Sequence, residues 1–411
     1  MKKLVSFLLV LLVFGGMIFS CSGKKVNNFS QWRGPDRNGI YQETGLLTEW
    51  PSDGPKLIWS FDQLGIGHSS VAVTNEKIYA TGIIDSIGVL FAFDQNGKLL
   101  WDKQYGRDWM VNFPGTRTTP LIVDDFAYLV SGYGVLYCLR SENGDVVWSK
   151  DILTDYKGVN PDQGMTENLI VDDDKIYCTP GGSDDNIVAL NRFDGSEIWK
   201  SKGYGEKSSF CSPLLIKHGE KKYFITMTAK SVISIDVENG ELAWRWGDLI
   251  YKYPDHPSTP IYSDGCLFIN DGGAGGSTKL KIADDGKSVE KIWTAGALDY
   301  VLGGAVLMED RIYAGSESKK GWLCVDWNTG NEVYMTDTIS HGSIIAAEGL
   351  LYCYSVAGDF VLMKPVSDGF ELKGTFKMPG SKRDHWAHPV INNGRLFVRY
   401  DNTLKVFDIK K

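Results

Sequence analysis

The 411-residue chain has no block of Lys or Arg, and 51 acidic side chains against 43 basic ones leave a net charge of −8. That balance argues against nucleic acid or an anionic lipid surface as partner. Seven cysteines occur, but none are adjacent and none form Cys-x-x-Cys, so no thiol metal motif is written here. Neither a Gly-x-Ser-x-Gly elbow nor a His-Glu-x-x-His pair is present, which removes two common hydrolase signatures. Asp172-Asp-Asp174 lacks the glycine and distal glutamate of a calcium loop and reads as a turn. The segment Asp271-Gly-Gly-Ala-Gly-Gly-Ser277 resembles a phosphate loop only in composition, because strands lie on both sides where a helix would have to follow. His385 and His388 are three apart, which on an extended strand points them to opposite faces, a poor chelate.

What the chain does have is repetition. About every 40–50 residues an alternating apolar run meets a Gly turn and then a strand ending in Trp, the mark of a repeat architecture. The first copies are Phe91-Ala-Phe-Asp-Gln-Asn-Gly97-Lys-Leu-Leu-Trp101 and Leu136-Tyr-Cys-Leu-Arg-Ser-Glu-Asn-Gly144-Asp-Val-Val-Trp148. Others end at Trp199 and Trp244, with weaker ones at Trp293, Tyr334 and Phe376. Period-two alternation around Asn-Gly or Asp-Gly predicts a hairpin in each. A second strand pair precedes each hairpin, as in Ser70–Thr81, Thr119–Val130 and Thr259–Asn270.

Four strands per repeat and eight repeats predict an all-β chain, an eight-bladed β-propeller of four-stranded antiparallel blades. The last repeat, from Pro389, ends after Leu404-Lys-Val-Phe-Asp-Ile without its Gly…Trp strand. The missing strand stands at the other end, as Gly54-Pro-Lys-Leu-Ile-Trp59-Ser-Phe, so the N-terminal strand is expected to close the last blade. Trp59, Trp101, Trp148, Trp199, Trp244 and Trp293 read as structural: each indole fills the gap between blades while its N–H finds a carbonyl.

The strand, acidic turn, Gly and Trp of these copies resemble the tryptophan-docking repeat of the pyrroloquinoline-quinone-like propellers. Gln31-Trp-Arg-Gly-Pro-Asp-Arg-Asn-Gly39 looks like the lead-in to their first blade. WD40 and kelch signatures are absent. The resemblance implies one of two functions: a quinoprotein dehydrogenase for alcohols or sugars, or a non-enzymatic lipoprotein of the outer-membrane β-barrel assembly type. The dehydrogenase branch implies an adjacent Cys-Cys pair against the quinone, a Glu/Asn/Asp calcium set and a catalytic Asp. No vicinal Cys pair occurs, and Glu167-Asn168 is only a fragment of the calcium set. The expectation is therefore no enzyme, no catalytic residue and no cofactor, with pyrroloquinoline quinone and calcium belonging to the alternative reading; a carbohydrate-binding propeller is a further alternative.

Met1-Lys-Lys, the apolar run Leu4–Phe19 and Ile18-Phe-Ser-Cys21 resemble a lipoprotein signal, with Cys21 as the acylated residue. Residues 1–20 then form the signal, 21–30 a polar tether, 31–54 the lead-in and 55–411 the propeller. This gives a lipid-anchored protein at the periplasmic face of the outer membrane, with a protein partner there. The remaining cysteines, Cys138, Cys178, Cys211, Cys266, Cys324 and Cys353, read as buried free thiols, with a cross-blade disulfide still open.

One constellation carries chemistry. His68, His256, His341, His385 and His388 stand at or just before the first strand of a repeat, and Arg117, Glu167 and Asn168 hold equivalent places. First strands line the axial channel, so these side chains are expected on one rim, either as ligands for a small anion, sugar or metal or as groups hydrogen-bonding water and the next blade. Which metal, if any, the residues do not say.

Overall fold

The computed structural model describes residues 28–247, 256–270, 276–299, 301–378 and 385–411. The expected signal, Cys21 and most of the glycine-rich loop (271–275) lie outside the described residues. Eight antiparallel sheets follow one another as eight blades, and one four-residue helix, Ile152–Asp155, is the sole α-element among the described residues. Blade 1 runs from Ala72 to Arg107 as four strands in order, and blades 2 to 7 repeat that meander. In blade 8, Val390–Asn392, Arg395–Tyr400 and Thr403–Asp408 are joined by Lys56–Phe61, which pairs antiparallel from Lys56↔Asp408 to Phe61↔Leu404. The N-terminal strand thus closes the ring. Apolar side chains alternate into clusters between neighbouring blades, the largest uniting blades 7, 8 and 1 around the seam.

The repeated Trp and the repeated Gly are one device. Trp59, Trp101, Trp148, Trp199 and Trp293 each pack on the turn glycine of the following blade: Gly97, Gly144, Gly195, Gly240 and Gly330. Each of these glycines has φ between +72° and +84°, and a Cβ there would lie 2.5–2.8 Å from the indole. Only glycine satisfies both the left-handed turn and the close approach. Four of the indoles also donate N–H to a carbonyl of the next blade, at Gln95, Arg192, Val237 and Trp327, over 3.0–3.3 Å. Trp244 is buried at the matching place in blade 4. In every outer strand a register shift leaves one residue bulged, as Leu100 is before Trp101 and Val147 before Trp148. Such bulges kink an edge strand and discourage pairing with another chain.

Two blades depart from the expected four strands. Phe29–Ser30 adds a fifth strand to blade 2, antiparallel on Leu121–Val123, and Ile40–Tyr41 adds one to blade 7, parallel on Gly342–Ala347. Residues 29 and 30 are therefore sheet rather than the end of a free tether. Asn28 is held too, its Nδ2 donating to the Asp124 carbonyl, because a backbone edge was available to pair with.

Candidate functional site: the axial cavity and its floor

The innermost strands and the loops that lead into them surround a cavity of about 470 Å3 on the ring axis. Its wall includes His68, Arg117, Asn168, Ser212, His341 and Trp386. Five of the eight expected rim residues, His68, Arg117, Asn168, His341 and His388, are thus gathered in one place. His68 packs on Trp386 with ring centroids 4.8 Å apart. Arg117 donates to the carbonyls of Asn112 and Phe113, while its buried Nε has no partner. Burial lowers its pKa to about 10, opposed by the charge of Asp108, so it remains a cation at neutral pH. Asn168 is a strut between blades: Oδ1 accepts from the Thr119 N–H at 2.7 Å and Nδ2 donates to Ser212 Oγ at 2.8 Å.

The other three do not line the cavity. Glu167 is buried beside it and accepts from the N–H and hydroxyl of Thr179 at 2.8 and 2.6 Å. Burial pushes its pKa up to about 7 against those hydrogen bonds. His256 is fully buried, with Nε2 3.3 Å from the Ala229 carbonyl. His385 is stacked on Tyr400 at 4.2 Å and hydrogen-bonded through Nδ1 to the Tyr354 hydroxyl. Neighbouring positions in sequence alternate between cavity and blade interface, which position along the chain did not distinguish. His388, a poor chelate with His385 by its spacing, lines the cavity as expected of the rim, and burial and then the charge of Arg33 hold its ring neutral.

The lead-in supplies the floor. Trp32 lies 4.7 Å from the His388 ring and donates its indole N–H to Thr259 Oγ1 at 3.0 Å. Arg33 donates to the carbonyls of Gly303, Ala305 and Asn38; Arg37 donates to those of Asn168, Leu169 and Pro213. Residues 31–39 therefore cross the axis and tie blades 3, 4 and 6 together. Both guanidiniums are buried, and burial lowers each pKa to about 10. Among the described residues neither has a carboxylate at ion-pair distance. Sequence reasoning placed this segment as a lead-in and missed its role, since nothing periodic marks an arginine destined for the axis.

Chemically the site offers cation, imidazole, amide and indole groups and one carboxylate, that of Glu317. Among the described residues no three His, Cys, Asp or Glu side chains gather as metal donors. The six cysteines described are free and spread over separate blades, and all but Cys266 are buried. Burial pushes the Cys138 and Cys211 thiols up to about 12. A quinone seat of the dehydrogenase kind does not fit this wall: it has no adjacent cysteine pair, and Glu167, the one acid offered for calcium, is turned to Thr179.

A sequence profile described as outer membrane protein assembly factor BamB matches residues 36–155, 86–247 and 162–369. The quinohemoprotein alcohol dehydrogenase of Comamonas testosteroni is 25% identical over 176 residues, 39% of this chain and 23% of that one. The outer membrane protein assembly factor BamB of Kangiella koreensis is 25% identical over 154 residues, 35% of this chain and 36% of that one. Each match thus spans well under two thirds of the relative's own length. The crystal structure of BamB from Moraxella catarrhalis superimposes with a TM-score of 0.62 and 13% identity, over 86% of this chain and 97% of that one, a likeness of fold.

Proposed function

Because the chain belongs to the BamB family of pyrroloquinoline-quinone-like repeat propellers, we propose that it is a non-enzymatic binding scaffold acting in outer-membrane protein assembly. In this reading Cys21 carries the lipid that holds the ring at the periplasmic face of the outer membrane, and the functional partner is a protein there. The observation that carries it is the composition of the axial wall. The dehydrogenase relative keeps the alternative in view; against it, the sequence has no adjacent cysteine pair, and Glu167 is turned to Thr179. A small ligand in the cavity is compatible with scaffolding.

Affinity capture from native outer membranes with the mature lipoprotein tests the reading. Retention of a β-barrel assembly component supports it. Cys21→Ser should shift the protein to the soluble periplasm, since the acyl chains provide the membrane affinity. Dye-linked oxidation of alcohols or aldoses after addition of pyrroloquinoline quinone and calcium would overturn the scaffold reading.

A further inference from the structure

We propose that the axial cavity binds a short peptide with free ends, its carboxylate on Arg117 and its ammonium on Glu317. Both side chains line the cavity, and they come from opposite sides of the ring. Arg117 precedes the first strand of blade 2, Leu121–Val123. Glu317 stands in the turn between Arg311–Ser316 and Gly321–Asp326 of blade 6, four blades away in a ring of eight. The cavity thus presents opposite charges across its own width, which a small anion or a neutral sugar engages only in part.

Neither charge is spent on the protein. Arg117 is anchored through Nη2, on the carbonyls of Asn112 and Phe113 at 3.1 and 2.8 Å. Its buried Nε has no partner, and among the described residues no carboxylate lies at ion-pair distance. The acid whose charge reaches it, Asp108, is taken up by the Tyr105 hydroxyl and the N–H groups of Trp109 and Gly132. The turn that carries Glu317 is pinned by Asp299, which accepts from Ser316 Oγ at 2.7 Å and from the Ser318 N–H at 3.1 Å. The neighbouring cation, Lys319, is turned to Glu332 at 3.7 Å. The exposed Glu317 carboxylate therefore has no ion pair among the described residues.

An aromatic pair lies across the charged one. Phe210 leads into blade 4 and Trp386 into blade 8, again four blades apart, with Trp32 in the floor. Trp386 is fixed in advance between the rings of His68 and Phe113, at 4.8 and 5.5 Å, which spares the cost of ordering it on binding. Thr166, whose buried hydroxyl has no partner, stands on the same wall beside Arg117. At about 470 Å3 the cavity falls within the range of small-molecule sites, ~300–1,000 Å3. A free amino acid carries both charges on one carbon and reaches one wall at a time. A peptide separates its ends by up to about 3.5 Å per residue, and an apolar side chain between them meets the aromatic pair.

The test titrates the mature protein in detergent, by calorimetry, with the tripeptide Gly-Phe-Gly and with its N-acetylated and C-amidated forms. The free tripeptide should bind saturably, and blocking either end should weaken binding about tenfold or more, as loss of one charge partner does. In Glu317→Gln acetylation should cease to matter while amidation still does; in Arg117→Gln the reverse is expected. No binding of the free tripeptide, or equal binding of free and blocked forms, overturns the proposal, and that comparison needs no variant to fold. Binding that needs only the carboxylate marks a simple anion site and overturns it too. The site does not depend on the assembly reading: capture of an assembly component without tripeptide binding would reject the site alone, and tripeptide binding without capture would reject that reading alone.

Discussion

Trp50 and Gly374 share one docking position, although they come from opposite ends of the chain. In blades 1 to 4 the residue after the outer-strand bulge is Trp, facing Ala92, Cys138, Ala189 and Ser234 in turn. In blade 7 the corresponding residue is Gly374, facing Leu362 at φ +140°. A Cβ on it would lie 2.6 Å from Cβ of Trp50. The Trp50 ring sits 6.0 Å from Tyr352, much as Trp101 sits 6.1 Å from Tyr79 and Trp199 5.8 Å from Tyr177. The lead-in thus lends blade 7 the indole its own strand lacks.

Trp50→Ala should behave like the loss of a docking Trp. Removing a buried aromatic of this size costs about 3–5 kcal/mol, and Trp50 also touches Phe360 and Phe376. Urea unfolding would register the loss as a lower midpoint with the slope retained. An unchanged midpoint would mean that the ring tolerates the vacancy.

Truncation separates tether from strap. A chain beginning at residue 28 should melt like the mature protein, because every described contact is kept. A chain beginning at residue 64 loses the blade 8 strand, Trp50 and the two floor arginines. It should melt far lower and aggregate through the edge of Thr403–Asp408, now unpaired. Equal melting temperatures for the two would contradict closure by the N-terminal strand.

Glu167 sets a pH slope. Its folded pKa, about 7, lies above the ordinary 4.5, so the folded state holds this proton more tightly than the unfolded chain does. The stability it contributes is full below about pH 4.5 and is lost as pH rises through 7, amounting to roughly 3 kcal/mol at about 1.4 kcal/mol per unit. Glu167→Gln should flatten that segment of a stability profile measured by urea titration from pH 4.5 to 8. A wild-type profile that rises across this interval and is unaltered by the substitution would contradict it.

Small-ligand binding at the axis should appear as thermal stabilisation. At one hundred times its dissociation constant a ligand adds about 2.7 kcal/mol. A panel of small anions and sugars should show a shift that Arg117→Gln and His341→Asn abolish and that His256→Asn leaves in place, since His256 is away from the cavity. A shift that survives the first two substitutions would place the ligand elsewhere.

The blades were legible because a propeller writes its contacts locally: period-two alternation, a Gly turn and a Trp recur wherever a blade must dock on the next. Closure was legible because the final repeat stops short and Trp59 supplies what it lacks. The rim was only half legible. The residues leading into a first strand face either the axis or the gap between blades, so His68 and His341 reached the cavity while His256 and His385 turned into packing. Arg33, Arg37 and Trp50 were hidden for a different reason. Their partners are carbonyls and a glycine hundreds of positions away, and neither leaves a mark on the local sequence.

The split hairpin of blade 8 also dictates an order of events. Lys56–Phe61 must find Thr403–Asp408, roughly 350 positions further on, the kind of distant pairing that slows folding. A chain threaded through a membrane amino end first therefore spends its whole passage with the seam open. Through that interval Leu57 and Ile58, exposed even in the finished ring, sit on a strand with no partner. Until the last dozen residues emerge, that strand edge stays open to pairing with another chain.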